Sequence, residues 1–240
     1  MVRTAVLAVA LLALAAPALA ANDDLAPLLA KLAAAEDRAH PIYREWNYTI
    51  KMNADELDSK GKPQSTTKVE LRHSFENGEE KQTLVHEEKD GKDITKERQE
   101  KQKAREEKRD AAKKDAKKDE GDDDEFPSPF GTKEQPKYVF TRLGPDRIGF
   151  APKVPSKDAM KGDAVVDATG RLKTVTMTPS KMPAMVSVLE ITMELGNGDR
   201  ETPLLSDLEV HGEGGLLFIK KRFRASTLFF DFSKPASAPK

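Results

Sequence analysis

Residues 162–178, with the sequence GDAVVDATGRLKTVTMT, decide the fold because they read as two strand-like segments joined by a short turn. Gly170 stands where a tight turn requires positive φ, and the Thr- and Val-rich residues after it favour a β-strand. Further apolar runs extend to Phe232, and turn residues at 179–180, 196–199 and 212–215 separate them. The second half of the chain therefore predicts an antiparallel meander, and it contains no recognisable catalytic motif.

A strand and a hairpin are also predicted before residue 87. Large apolar residues alternate with polar ones through Trp46, Tyr48 and Ile50, a period of two that is typical of a half-buried strand. Asn77-Gly78 predicts a two-residue type I′ turn, because both central positions of that turn need positive φ. The resulting register pairs Glu76 with Glu79, Leu71 with Leu84 and Val69 with His86.

Residues 1–20 have the pattern of a secretory signal peptide. Arg3 precedes an apolar run, and Ala18-Leu19-Ala20 is a small-x-small cleavage signature. The apolar run is short of the about 20 residues that a membrane span needs. We expect a mature chain that begins near Ala21, is periplasmic or secreted, and has no integral membrane span. A retained N-terminal anchor is the alternative.

The composition argues against several classes of protein. The formal net charge of −1 provides no broad basic excess for binding nucleic acid. The chain has no cysteine, so it forms no disulfide and lacks the residue that carries the usual lipid anchor of a lipoprotein. Stability therefore has to come from an ordinary hydrophobic core.

A helix is predicted after the signal peptide. Leu25, Leu28, Leu29 and Leu32 share one face at i, i+3, i+4, i+7 spacing, and the alanines between them favour helix. We expect this helix to end before Pro41, since the residue that precedes a proline avoids helical backbone angles. Its leucine stripe needs a partner surface.

Residues 87–125 have a different composition from the rest of the chain. Of these 39 residues 29 are charged, and no apolar seam runs through them, so we predict a charged helical or disordered insertion rather than a coiled coil. It serves either as a contact for a partner or as a tolerated surface insertion that adds little to stability. The following residues 126–131, FPSPFG, either anchor a loop or cover an opening.

No arrangement of side chains points to an enzyme. The four histidines, His40, His73, His86 and His211, lack the spacing of a metal-binding helix, and no serine lies in a Gly-x-Ser-x-Gly elbow. The glycines at 212–215 join two strands, which is the wrong context for a dinucleotide site. We predict neither catalytic residues nor a metal nor a cofactor.

Apolar strand faces are the remaining candidate site. A sheet with one apolar face needs a cover, which the first helix and the curvature of the sheet would supply. If the helix fills the sheet only in part, a pocket for an acyl chain is left; if it fills the sheet, the core is closed. Both outcomes stay open at this point. The candidate ligand-binding residues are Trp46, Tyr48, Ile50, Leu71, Phe75, Phe140, Ile191, Met193 and Phe218.

The chain resembles the periplasmic outer-membrane lipoprotein-sorting proteins, the LolA/LolB-like superfamily, as a divergent member. The resemblance lies in the cleavable signal, the leucine-rich first helix and the hairpin of residues 162–173. It continues in Leu204-Leu205-Ser206-Asp207, in Gly215-Leu216-Leu217-Phe218 and in the closing Phe229-Phe230-Asp231-Phe232. The resemblance implies a half-open β-barrel with helices in its mouth, and it carries over no functional residue.

Together these observations predict one α+β domain, a strongly curved antiparallel sheet with a helix on its concave face. The domain comprises residues 21–86 and 126–232, interrupted by the insertion and followed by a tail at 233–240. The expected function is non-enzymatic binding of a lipid or lipoprotein acyl chain in the cell envelope, with an envelope protein as a further partner of the insertion. The alternative is an envelope sensor or protein-interaction scaffold that has the same fold and no lipid ligand.

Overall fold

The computed structural model describes residues 25–76, 79–113, 128–199, 201–216 and 219–235. The predicted signal peptide, the Asn77-Gly78 turn and the end of the tail lie outside this part of the chain. Within it the fold is α+β, as predicted. Helix α1 spans Leu25–Glu45, helix α2 spans Thr95–Lys113, and a 3₁₀ turn covers Gln135–Lys137.

The strands follow the predicted antiparallel meander. Eleven of them form one sheet with the order β4-β3-β2-β1-β13-β12-β9-β8-β7-β6-β5, and β10 and β11 form a separate two-stranded ladder. Strands that are adjacent in this sheet are also adjacent in sequence, with two exceptions: β13 pairs with β1, and β9 pairs with β12. The strands are β1 Asn47–Leu57, β2 Pro63–Glu76, β3 Glu79–Lys89, β4 Lys92–Asp93, β5 Tyr138–Arg142, β6 Arg147–Pro152, β7 Met160–Val166, β8 Leu172–Pro179, β9 Val186–Glu194, β10 Asn197–Gly198, β11 Pro203–Leu204, β12 Asp207–Leu216 and β13 Ile219–Ser233.

The register of the β2–β3 hairpin was predicted correctly as far as a β-bulge. Glu76 faces Glu79 and Leu71 faces Leu84, but Val69 faces Glu87 rather than His86. The register shifts between Glu70 and Leu71, because one extra residue of β3 is accommodated there. Beyond a bulge, every later pair is displaced by one residue.

The prediction of a strongly curved sheet was wrong, because the sheet is not strongly curled, and it does not close into a barrel either. In the described part of the chain the sheet ends at β4 and β5, which stand at its opposite edges. A barrel requires these edges to approach each other with a fixed stagger. Here α1 covers the apolar face over β5–β9 instead, so burial of that face does not require the sheet to curl over itself.

The hydrophobic core lies between α1 and the half of the sheet from β5 to β9. Leu25 and Leu32 of α1 are buried there against Ile148, Val175 and Met177 of the sheet. The face of the sheet that packs against α1 is called the inner face below. Phe130 is 1% exposed, and its ring contacts those of Phe140 and Phe150, so residues 128–131 anchor their loop in this core, while Phe126 and Pro127 lie outside the described residues.

Helix α1 extends past its predicted end and contains Pro41. Proline removes one i→i−4 hydrogen bond from a helix interior, so tertiary contacts have to compensate for it. Tyr43, two residues later, provides two: its hydroxyl accepts a hydrogen bond from Leu205 N–H at 2.6 Å, and its ring packs edge-on against Phe232. The last turn of the helix is therefore held on the sheet.

Helix α2 lies along the outer edge of β3. The first three residues of the predicted insertion belong to that strand, and the hydroxyl of Thr95 accepts a hydrogen bond from Glu87 N–H at 2.8 Å. Gln99 Nε2 donates to the Leu84 carbonyl at 2.9 Å, and Arg98 forms an ion pair with Glu87. An exposed strand edge presents unpaired backbone groups, and the first turns of α2 satisfy some of them.

Candidate functional site

A cleft of about 860 Å³ lies between the C-terminal half of α1, the segment 128–134 and the inner face of the sheet. It adjoins the hydrophobic core, where α1 leaves the sheet uncovered toward β12 and β13. The lining residues are Glu36, Asp37, Ala39, His40, Tyr43, Ser128, Gly131, Thr132, Lys133, Glu134, Leu172, Val175, Ile191, Met193, Leu195, Pro203, Leu205, Leu208, Val210 and Phe229.

The floor of the cleft is apolar because apolar residues alternate with polar ones along three neighbouring strands, and the apolar residues of all three point to the inner face there. Met193 of β9 faces Val175 of β8 on one side and Leu208 of β12 on the other. Two residues earlier in β9, Ile191 faces Val210 of β12. Residues that face each other in neighbouring strands point to the same side of the sheet, so these side chains form one continuous apolar surface.

The rim of the cleft is polar and comes from two segments that are far apart in sequence. Helix α1 contributes Glu36, Asp37 and His40, and the loop contributes Thr132 and Lys133. The Thr132 hydroxyl donates a hydrogen bond of 2.6 Å to the Asp37 carboxylate. This bond ties the loop to the helix and defines one side of the opening.

Tyr43 lines the cleft from the last turn of α1. Burial raises the pKa of its hydroxyl to about 12, despite the hydrogen bond from Leu205 N–H that acts in the opposite direction. The hydroxyl is therefore neutral at physiological pH. The side chain presents an apolar ring to the cleft while its polar atom is satisfied by the backbone.

The structure separates the predicted ligand-binding residues into three groups. Ile191 and Met193 line the cleft. Phe140 packs in the core beside Phe130. The third group lies on the other half of the sheet. Its residues belong to β1, to β2 or to the position just before β1: Trp46, Tyr48, Ile50, Leu71 and Phe75. Phe218 falls outside the described residues.

The residues of that third group do not line the cleft. The ring of Tyr48 stacks on His73 at 4.3 Å and on Phe232 at 5.1 Å, and Ile50 faces Leu71 in the β1–β2 pairing. Lys234 lies over the ring of Trp46. The backbone N–H of Phe75 donates to the Asn47 side chain. These residues therefore contact neighbouring side chains and backbone on and around β1 and β2 rather than the cleft under α1.

Sequence reasoning missed two parts of the cleft. Leu208, Val210 and Phe229 belong to its floor, and the alternation of Leu208 and Val210 with charged residues was available as a signal. The polar rim was missed as well. Glu36, His40 and Tyr43 are spaced four and three residues apart, which places them on one face of α1.

Comparison with models of known protein families and with curated proteins found no match to the chain. Neither α1 nor α2 is long and apolar enough to cross a membrane. Within the described ranges, no group of three or more His, Asp or Glu side chains is placed to hold a metal ion. The chemistry that the cleft does offer is enclosure of an apolar group beneath a polar opening.

Proposed function

We propose that the protein binds the acyl chain of a lipid or lipoprotein in the cleft under α1, without catalysing a reaction. The continuous apolar floor beneath a polar rim is the observation that carries this proposal. The volume of about 860 Å³ lies within the roughly 300–1,000 Å³ typical of small-molecule sites.

The physical basis of binding is the removal of methylene groups from water, about 0.8 kcal/mol for each one buried. Ile191, Met193 and Leu208, which are half-buried, supply the surface against which an acyl chain would lie. The polar group at the end of that chain would remain at the rim beside Thr132 and Lys133, where water and a positive charge are available. This arrangement favours an amphiphile over a wholly polar ligand.

We place this function among the envelope lipoprotein-sorting proteins on the resemblance of the sequence, and the sheet lacks the strong curvature which that resemblance implies. One antiparallel sheet carries a leucine-rich N-terminal helix across its inner face, and the last strand returns to pair with the first. The protein would be a divergent carrier of that superfamily, acting in the periplasm after removal of its signal peptide. The open sheet leaves the cleft accessible from the side that α1 does not cover.

A fluorescent long-chain fatty acid tests the proposal. The processed protein should bind it saturably with a Kd in the micromolar range, which corresponds to about −8 kcal/mol. Ile191→Glu should weaken binding at least tenfold, since a carboxylate would stand on the apolar floor. Val188→Glu is the matched control: it lies on the same strand, is exposed and does not line the cleft.

Circular dichroism has to show that both variants remain folded. Equal loss of binding in the two variants would place the ligand elsewhere. Absence of saturable binding to the wild-type protein would remove the carrier function and leave the envelope scaffold as the function of this fold.

A further inference from the structure

The strand order places the connections of the sheet at two opposite ends. The β1–β2, β6–β7 and β8–β9 connections lie at the same end as the tip of the β12–β13 hairpin. The registers establish this: Leu57 faces both Pro63 and Arg222, Met160 faces Pro179, and Gly214 faces Val186. We call these four segments, residues 58–62, 153–159, 180–185 and the described part of 213–222, the lysine end.

Charge is segregated between the two ends. The four segments of the lysine end contain eight basic and three acidic residues, and a fifth segment at that end, residues 89–93, contains two of each. The described residues of the connections at the opposite end, within 76–80, 143–146, 167–171 and 195–207, include eight acidic residues and one basic residue. The net charge of −1 for the whole chain conceals this separation.

The lysines at this end are exposed, whereas two of the acidic side chains there are occupied. Lys60, Lys62, Lys153, Lys157, Lys181, Lys220 and Lys221 are all exposed. The Asp58 carboxylate accepts the backbone N–H groups of Lys60 and Lys62 at 2.7 and 2.8 Å. Glu213 pairs with Arg222 at 2.9 Å and lies 3.7 Å from Lys220 Nζ. Lys153 Nζ donates to the Pro136 carbonyl at 2.7 Å. The seven lysines nevertheless remain exposed, so most of the positive charge at this end faces solvent.

Exposed apolar side chains lie among these lysines. Five of the nine large apolar residues that are exposed in the described structure lie at or beside the lysine end. Val154 is 79% exposed and Met185 is 63% exposed, so neither side chain packs into the core. The other three are Met182, Val188 and Phe223.

We propose that the lysine end docks the protein on a bilayer surface that carries anionic headgroups. A lysine or arginine near such a surface contributes attraction that falls off within a Debye length, and apolar side chains between the lysines enter the headgroup boundary. The acidic end is repelled, so the strands stand away from the surface with the lysine end toward it. Exposed Val154 and Met185 gain from contact with a bilayer and nothing from the phosphate backbone of a nucleic acid, which favours the bilayer as the partner.

Cosedimentation with vesicles tests this proposal independently of the cleft. The processed protein should bind vesicles of phosphatidylglycerol and phosphatidylcholine, bind pure phosphatidylcholine at least tenfold more weakly, and dissociate in high salt. Lys220→Gln with Lys221→Gln should lower the partition coefficient roughly thirtyfold, the equivalent of about 1 kcal/mol per lysine near the surface. Met185→Ser should lower it several-fold and leave its salt dependence unchanged.

The matched control is Lys81→Gln with Lys173→Gln, which makes the same change in net charge at two exposed lysines beside the acidic end. It should change vesicle binding less than twofold, with circular dichroism confirming the fold of each variant. Equal effects of the two double variants would overturn the proposal, because only net charge would then matter. Binding to heparin or duplex DNA without binding to anionic vesicles would also overturn it.

Discussion

The contact between α2 and β3 leads us to expect that α2 contributes to stability. The sequence alone favoured an insertion that adds little to stability. Arg98 Nε lies 2.9 Å from Glu87 Oε1, and the side chain of Glu87 is only 11% exposed. Arg98→Ala would remove the charged partner that this carboxylate has among the described residues and leave it against the sheet. We expect Arg98→Ala to destabilise the domain, although it lies in a segment predicted to be dispensable.

The expected loss in the free energy of unfolding follows from the burial of the Arg98–Glu87 ion pair. An exposed ion pair contributes about 0–1 kcal/mol, and removing one partner of a fully buried pair costs about 3–5 kcal/mol. The Arg98 side chain is 47% exposed while Glu87 is nearly buried, so the pair lies between these limits. We expect a loss of about 1.5 kcal/mol, at the lower end of the range for a hydrogen bond to a charged group, and a fall in Tm of roughly 3–6 °C.

Urea denaturation of the protein measures this loss, with Arg105→Ala as the control. Arg105 is an exposed arginine of the same helix, so its removal makes the same changes in charge and helix propensity. A double-mutant cycle with Glu87→Ala should give a coupling energy of about 1 kcal/mol. If Arg98→Ala and Arg105→Ala have the same midpoint, α2 does not stabilise the edge of β3 and the reasoning fails.

Two further predictions concern the sheet and its buried tyrosines. Gly162→Ala should destabilise the protein by about 1–3 kcal/mol in urea, because the added Cβ would lie 1.9 Å from the Thr176 carbonyl oxygen; an unchanged midpoint would show that β7 and β8 separate readily. Burial raises the pKa values of Tyr43 and Tyr48 from 10.0 to about 12, so their neutral forms stabilise the fold fully below pH 10 and progressively less as pH rises to about 12. Urea midpoints across that window should fall less steeply when both tyrosines are replaced by phenylalanine, and equal slopes would contradict the burial of their hydroxyls.

Much of the strand pattern could be predicted because it depends on residues close in sequence. The Asn77-Gly78 turn placed Leu71 opposite Leu84, as found. The predicted register was wrong beyond the bulge between Glu70 and Leu71. There the course of β3 also depends on its contacts with β4 and α2. The position of a bulge depends on the contacts made at the edge of the sheet, so the local pattern of apolar residues does not predict it.

The candidate site was predicted in part for the same reason. Ile191 and Met193 were identified because their alternation with polar residues is local, and both line the cleft. Tyr48 and Leu71 show the same alternation and lie on another part of the sheet. Period two tells which side chains share a face of one strand, but the order of strands decides which faces meet.

By itself, the sequence determined the antiparallel meander, the amphipathic first helix and the charged character of residues 87–125, since all three rest on periodicity, turn chemistry and composition. Tertiary structure alone decided that α1 continues through Pro41, that the sheet stays open, and that a cleft remains beneath the helix. It also decided that lysines from four distant connections gather at one end of the sheet and acidic residues at the other. The physical reason is that these features arise from contacts between segments far apart in the chain, and the energy of such contacts depends on which surfaces are brought together.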